Sequence, residues 1–359
     1  MISQAAQAPR TGEGLEFDAA LDERGFEVAL RVKPGQTVAV LGANGSGKST
    51  LLALIAGLLR PSRGQASLNG TPLVGVGTAV PVHRRRTALL TQDVRLFPHL
   101  SVLDNVAFAP RSSGVRREQA RKQAGQWLTA AGVEALAARR PHELSGGQAQ
   151  RVAIARALAA EPELMLLDEP MAALDVAATP QIRRLLRSVL AAKTAIVVTH
   201  EVLDALMLAD YTVILRAGHI VEQGLTQRLF ETPADPFTAR LAGLNFIRSE
   251  LDGAAWATVF PASSVAVYPQ ASGAEKNSTS NHAAGYSVLI EDLEPQGSLI
   301  AVSGVEVTSG ARLTAEVPAA YLAAHSSERT HSIERTHSIE PGARCLFVPE
   351  ASGTRTYRL

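Results

Sequence analysis

Cysteine is almost missing from this chain: its 359 residues include one, Cys345. That excludes an internal disulfide framework and a cysteine-based metal cluster, and it fits a reducing compartment. Charge of a single sign is missing too. The 35 Lys and Arg nearly cancel the 34 Asp and Glu, for a net of +1. This balance argues against a protein held to nucleic acid mainly by phosphate neutralisation. No apolar run approaches the ~18 residues of a membrane-spanning helix. The opening stretch Met1–Arg10 lacks the apolar core of a signal peptide. The expectation is a soluble, cytoplasmic protein.

At roughly 100–200 residues per domain, the length implies two domains, each able to bury a core of its own. Charge divides unevenly between them. Residues 250–359 hold 7 Lys/Arg and 12 Asp/Glu, whereas residues 1–249 hold 28 and 22. Up to about residue 240, short apolar strands alternate with long amphipathic segments, the mark of a parallel sheet wrapped by helices. The strands are expected at Thr37–Leu41, Thr87–Thr91, Leu164–Asp168, Ala195–Thr199 and Thr212–Arg216, with helices over 115–139 and 146–160. Beyond Asn245 come runs rich in Val, Ile and Tyr: Ser264–Tyr268, Tyr286–Ile290, Ser298–Val302, Arg312–Val317 and Arg344–Val348. Gly, Pro and Ser separate them, which predicts a small all-β barrel or sandwich. Domain boundaries are placed at 1–240 and 241–359. Residues 270–285 read as an exposed loop. At 328–340, Glu-Arg-Thr-His-Ser-Ile occurs twice in tandem. Its His331 and His337 could suggest a metal site, but one six-residue duplication in a surface loop explains the pattern without further ligands.

Chemistry concentrates in the first domain. Gly42-Ala43-Asn44-Gly45-Ser46-Gly47-Lys48-Ser49, followed by Thr50, fits G-x-x-x-x-G-K-[ST] between an apolar strand and an apolar helical pattern. Glycines let successive backbone N–H groups turn inward onto phosphate oxygens, and the following helix adds the positive end of its dipole. Lys48 would reach the β- and γ-phosphates, and the Ser49 hydroxyl would ligate Mg²⁺. Leu164–Leu167 is an apolar strand ending in Asp168 and Glu169. It sets two carboxylates at the edge of a parallel sheet where ligands of such folds bind. Asp168 would hold Mg²⁺ and Glu169 would polarise the water that attacks the γ-phosphate. Taken alone, each segment could be a flexible loop or an ordinary strand end; together they read as a phosphoryl-transfer site.

Leu144-Ser145-Gly146-Gly147-Gln148 opens the helical run Ala149–Ala160. Ser145 and Gln148 match a capping box. Two glycines in a first turn cost stability, which points to a close approach of the backbone to something else.

With these segments in hand, residues 15–240 resemble the nucleotide-binding subunits of ABC transporters. The phosphate loop 42–49, Gln92, the signature 144–148, Asp168-Glu169, Ala172-Ala-Leu-Asp175 and His200 stand in that family's order. The resemblance implies an α/β P-loop NTPase fold, an ABC ATPase cassette with a helical subdomain, using ATP and Mg²⁺. It implies that two copies pair head to tail around two ATP molecules. Ser145, Gly146, Gly147 and Gln148 of one copy would face the nucleotide held by Lys48 of the other, with Asp175 linking the sites. Gln92 would contact Mg²⁺ and the attacking water, and His200 would contact the γ-phosphate and support Glu169. The loop Asp93–Leu100 resembles the family's contact with integral membrane permease subunits. That arrangement implies a peripheral location on the cytoplasmic membrane face, indirect work with a solute-binding protein, and no nucleic acid. Many members stack adenine on an aromatic residue about 25 positions before the phosphate loop. The nearest here, Phe17, reads as core, and adenine stacking stays unassigned.

The β-rich tail resembles the accessory domain of importer ATPases, a small OB-like module of the Mop/TOBE type. Leu244–Phe246, Val259–Tyr268, Asp292–Pro295 and Leu313–Val317 bring it nearest to molybdate-type importers. Where that module commonly has Ser-Ala-Arg-Asn, this chain has Thr279-Ser-Asn281-His282 without the Arg. The expected cargo is an oxyanion, molybdate or tungstate, with sulfate, iron, polyamine or sugar as alternatives. A non-transport ABC ATPase of translation or DNA repair is the remote alternative: sustained heptads, zinc modules and a second cassette are all missing.

Overall fold

In a computed structural model of the chain, residues 14–75, 78–172, 174, 178–270, 285–325 and 339–359 are described. Asp175, the stretch Thr279–His282, and the histidines His331 and His337 lie outside them. The chain divides into two units between Gln227 and Arg228.

The first unit opens with β1 (Leu15–Leu21) and β2 (Phe26–Val32), an antiparallel pair turning through Gly25. After β3 (Thr37–Leu41) and α1 (Lys48–Ala56) come β4 (Arg63–Leu68), β5 (Thr71–Gly75) and β6 (Thr78–Ala79). These short strands complete a five-stranded antiparallel sheet in the order β2-β1-β4-β5-β6. Next are β7 (Thr87–Leu90) and four helices: α2 (Val102–Val106), α3 (Phe108–Ser112), α4 (Arg117–Ala130) and α5 (Gly146–Ala159). Then follow β8 (Leu164–Asp168), α6 (Thr179–Leu190), β9 (Ala195–Val198), α7 (Val202–Leu208), β10 (Tyr211–Arg216) and β11 (His219–Leu225). The second sheet runs β11-β10-β3-β9-β8-β7, parallel except for β11.

All five residues of β3 are buried, as expected of a strand covered on both faces. On one side α1 sends Leu51, Leu54 and Ile55 into a core shared with the antiparallel sheet. On the other side Ile154, Ile182 and Leu186 pack against Leu167 and Val197. Helices α2, α4 and α5 enclose a separate core around Val106, Ala124, Leu128 and Val152, forming the helical subdomain. The helix expected over 115–139 ends at Ala130. Gly132 takes a left-handed conformation (φ 68°), and only a short 3₁₀ turn follows at Glu134–Leu136.

The boundary lies thirteen residues before the expected 240/241, within α8 (Thr226–Glu231). Local contacts explain this. Asp235 caps α9 (Pro236–Leu241), α9 packs on β12 (Leu244–Leu251), and the Tyr357 hydroxyl donates to the Pro233 carbonyl at 2.6 Å. The second unit continues through β13 (Ala254–Pro261), β14 (Val265–Pro269), β15 (Tyr286–Gln296), β16 (Leu299–Glu306) and β17 (Arg312–Pro318). It ends with α10 (Ala319–His325), β18 (Arg344–Pro349) and β19 (Arg355–Arg358). Its sheets run β12-β13-β19 and β14-β18-β15-β16-β17, every pairing antiparallel. Asn245 ties β12 to β17: its side chain accepts from the Thr314 N–H (2.7 Å) and donates to the Thr314 carbonyl (2.8 Å). Phe260, Val288, Leu313 and Phe347 fill the core. The expected OB-like accessory fold fits this all-β unit.

Candidate active site

Four loops leave the carboxyl ends of neighbouring parallel strands, the edge at which α/β sheets bind ligands. They follow β3, β7, β8 and β9, and they carry Gly42–Gly47, Gln92, Glu169 and His200 respectively. A cavity of about 750 Å³ opens there; Asn44, Lys48, Ser49, Thr50, Gln92 and Glu169 are among its lining residues.

Glycine is required in the first loop for steric reasons. A Cβ on Gly42 would stand 2.3 Å from the Leu215 carbonyl oxygen, and one on Gly47 (φ 105°) would stand 2.9 Å from the Phe26 ring. The loop thus lies flat on β10 and β2 and leads directly into α1. That helix begins with no side-chain cap and no acidic residue in its first turn. Its first N–H groups, which α-helical geometry leaves unpaired, are at the cavity. Lys48 is buried, and its ammonium donates to the carbonyls of Gly42 (2.7 Å) and Ala43 (3.0 Å). Burial holds its pKa below the usual lysine range, opposed by the charges of Glu169 and Asp168. An uncapped helix start, a partly desolvated ammonium and an open cavity form an anion site, and a polyphosphate fits it.

Burial raises the Asp168 carboxyl above its ordinary value, with a hydrogen bond from Ser49 opposing and Glu169 adding to the rise. The Ser49 hydroxyl and the Asp168 carboxylate are therefore already adjacent, an oxygen pair of the kind that suits Mg²⁺. Glu169 adopts φ 46°, a left-handed conformation rare outside glycine. Its N–H donates to the Val198 carbonyl at 3.0 Å, which fixes the turn across β9. Its Oε2 lies 3.8 Å from Nδ1 of His200. Below His200, the buried Asp204 carboxylate accepts from Arg183 Nε (2.7 Å) and from Thr199 Oγ1 (3.0 Å), so the turn that presents the histidine rests on a charged, fully bonded base.

The signature segment is elsewhere. Ser145 caps α5, accepting from the Gln148 N–H (3.3 Å), while Gln148 Oε1 accepts from the Ser145 N–H (3.0 Å). The capping box is thus real. Since the Ser145 hydroxyl acts there as acceptor, its proton remains to donate outward from an exposed position. A Cβ on Gly147 would stand 3.0 Å from the Ala178 Cβ, so internal packing gives one reason for this glycine. None of residues 145–148 lines the cavity of its own chain.

Sequence reasoning missed one wall of the cavity. Arg24, Gly25 and Phe26, at the β1–β2 turn, face the phosphate loop together with Ala217 and Gly218. Arg24 Nη1 donates to Thr50 Oγ1 at 3.2 Å. Phe17 is core, 2% exposed. The signal for this wall was the turn at Gly25, close in sequence to nothing catalytic.

Comparison with known proteins adds to this geometry. The ABC transporter family profile matches residues 26–172. The chain is 40% identical over 329 residues to the molybdenum import ATP-binding protein ModC of Mycobacterium tuberculosis, covering 83% of this chain and 87% of that relative. It is 43% identical over 220 residues to the Fe(3+) ions import ATP-binding protein FbpC of Pseudomonas fluorescens, covering 60% and 61%. Among solved structures, cbiO1 of Clostridium perfringens, described as part of the ABC transporter complex cbiONQ, is similar at TM-score 0.56 and 28% identity, covering 61% of this chain and 91% of that one.

Proposed function

Because this chain belongs to the ABC transporter family of ATP-binding proteins, we propose that the ATP it hydrolyses powers import of molybdate or the closely similar tungstate. One observation carries the choice of cargo: the likeness to the molybdenum import protein spans 83% of the chain, whereas the likeness to the ferric import protein spans 60%. A match of the greater length must include much of the β-rich unit.

At the site, Lys48 and the N–H groups of Gly45, Gly47 and the α1 start bind the phosphates, with Gly42, Ala43, Asn44, Ser46 and Thr50 shaping the loop. Ser49, Gln92 and Asp168 would hold Mg²⁺, which when bound neutralises charge on the β- and γ-phosphates. Glu169 takes the proton of the attacking water, and His200, 3.8 Å from the Glu169 carboxylate, supports it and contacts the γ-phosphate. Ser145, Gly146, Gly147 and Gln148 of a second copy close over the nucleotide. Support comes from the exposed Ser145 hydroxyl and from the open cavity, to which the chain's own signature does not contribute. Asp175 joins the two sites. Among the described residues no helix is long and apolar enough to cross a membrane, so integral permease subunits supply the pore and the chain works peripherally on the cytoplasmic face. A solute-binding protein delivers the cargo from the other side. Phe97 and Phe108, with ring centroids 4.5 Å apart at the start of the helical subdomain, suit the permease contact.

Deletion of the gene and complementation with the intact chain tests the cargo. Growth limited by molybdate should fail and be restored; a strain that instead fails only under iron limitation would assign the ferric cargo. Purified protein should hydrolyse Mg-ATP, and Glu169→Gln should bind ATP with little turnover.

A further inference from the structure

Far from the cavity, at the other end of α1, lies a buried cation that the proposed chemistry does not use. Arg85 is 4% exposed. Its Nη1 donates to the carbonyls of Leu54 (2.9 Å) and Ile55 (2.8 Å), in the last turn of α1, and its Nε donates to the Val80 carbonyl (2.9 Å). Burial lowers its pKa, and among the described residues no carboxylate offsets that. An uncompensated buried guanidinium is expensive, and among the described residues its partners are main-chain oxygens. Space is reserved for it. Gly57 ends α1 in a left-handed conformation (φ 83°), and a Cβ there would stand 2.4 Å from Arg85 Nε.

Placement gives this cation a role. α1 is nine residues long, about 13 Å, and its first residues are Lys48 and Ser49. Directly after Arg85 and Arg86 the chain enters β7, whose far end delivers Gln92 to the same cavity. Arg86 is turned left-handed (φ 52°), and its carbonyl accepts from the Glu163 N–H at 2.9 Å, just before β8 leads to Asp168. One short segment therefore fastens the rear ends of the three elements that carry Ser49, Gln92 and Asp168. We propose that Arg85 is a positioning residue that sets the spacing of Ser49 against Gln92 and Asp168, and hence the protein's use of a divalent cation with its nucleotide. Helix and strand are stiff, so an angular error at the clamp becomes a displacement at the cavity. A cation at the helix C-terminus also suits a helix whose N-terminus receives phosphate. The proposal rests on the nucleotide reading of the cavity.

The test measures binding of a fluorescent ATP analogue to the full chain, with EDTA and across a Mg²⁺ titration, for wild type, Arg85→Lys, Arg85→Met and Gly57→Ala. In EDTA the phosphate loop works alone, and all four should bind within about twofold. The Mg²⁺ concentration for half-maximal tightening should rise about 10-fold or more in Arg85→Met, as for lost outer-shell support of a metal site. Arg85→Lys, which keeps the charge and part of the bonding, should lie between. Gly57→Ala displaces the guanidinium without deleting it and should shift the same way, which keeps the test usable if Arg85→Met does not fold. Melting temperatures are read in parallel. If they fall while the Mg²⁺ dependence of folded protein stays at the wild-type value, Arg85 is structural only and the proposal is overturned. If wild type binds no nucleotide even with Mg²⁺, the site reading fails first, and the positioning role falls with it.

Discussion

Replacing Glu169 by glycine should leave the protein about as stable as the wild type and nearly inactive, two effects that the backbone separates. Glu169 sits at φ 46°, and a left-handed L-residue carries a penalty of about 1–2 kcal/mol. Glycine removes this penalty but widens the unfolded ensemble by about 0.4–1 kcal/mol. The carboxylate lost is also one of the groups pushing Asp168 upward. Its partner His200 is 3.8 Å away and half-exposed, a contact worth about 0–1 kcal/mol. The two backbone terms leave roughly 0 to +1.6 kcal/mol in favour of glycine, and the lost His200 contact sets up to about 1 kcal/mol against it, so the balance runs from roughly −1 to +1.6 kcal/mol. At about 2–4 °C per kcal/mol for a unit of this size, the melting temperature should lie between about 4 °C below and about 6 °C above that of the wild type. Glu169→Gln retains the Cβ and so the backbone penalty, and it should melt at or slightly below the glycine variant. Loss of the base should lower ATP turnover about 10²–10⁴-fold in both, with ATP binding kept because Lys48 and the glycine loop are untouched. The assays are calorimetry, nucleotide binding and phosphate release. A glycine variant that melts more than about 4 °C below the glutamine variant would refute the backbone argument. Turnover near the wild-type rate would refute the assignment of the base.

Lys48 has a pKa lowered mainly by burial. The penalty for its charge is therefore full at neutral pH and fades as pH climbs through the folded value towards the unfolded one. Relative to Lys48→Met, the unliganded wild type should gain stability from neutrality to about pH 10; denaturant titrations showing a flat or falling difference would contradict this. Arg183→Met strands the buried Asp204 carboxylate beneath the His200 turn and should cost about 3–5 kcal/mol, with Arg183→Met/Asp204→Leu recovering much of it in urea denaturation. Cys345 is buried and its thiol is pushed up to about 11. A thiol reagent should label no site quickly in native protein and one site per chain in denaturant; fast native labelling would place Cys345 at the surface. Gly147→Ala brings a Cβ to 3.0 Å from Ala178 but gains helix propensity of about 1 kcal/mol. Melting should change little while turnover falls, and unchanged turnover would argue against closure of the site by a second copy.

What the sequence revealed depended on how local the signal was. β3, β8 and β9 were legible because a parallel strand buried on both faces is a bare apolar run of four or five residues, as in Thr37–Leu41 and Leu164–Asp168. The phosphate loop was legible because its glycines are dictated at close quarters, by Leu215 and Phe26. β2 was available and went unread: Phe26–Val32 alternates buried and exposed at every position, the period of a half-buried strand. The three-stranded sheet of the second unit was out of reach, since Val259 of β13 pairs with Arg355 of β19, almost a hundred residues on, and no local pattern encodes that register.

Arg85 marks the limit of such reading. It stands in the run His83-Arg84-Arg85-Arg86, which in sequence is a solvated basic patch. In the fold one of the four is buried, because Leu54 and Ile55, some thirty residues earlier, offer last-turn carbonyls with room for a further donor, the Leu54 carbonyl also accepting from the Gly57 N–H at 3.2 Å, and Gly57 leaves room for the guanidinium. A residue whose partners are main-chain atoms leaves no trace in the identity of those partners, so neither charge nor spacing reveals it. The side chains proposed for catalysis can be named from their motifs, whereas the parts proposed to hold their spacing have to be sought among buried polar groups bonded to backbone. If Arg85 governs the Mg²⁺ dependence, other variants of this cassette with intact motifs and altered metal use should map to such clamps at the rear of α1, β7 and β8.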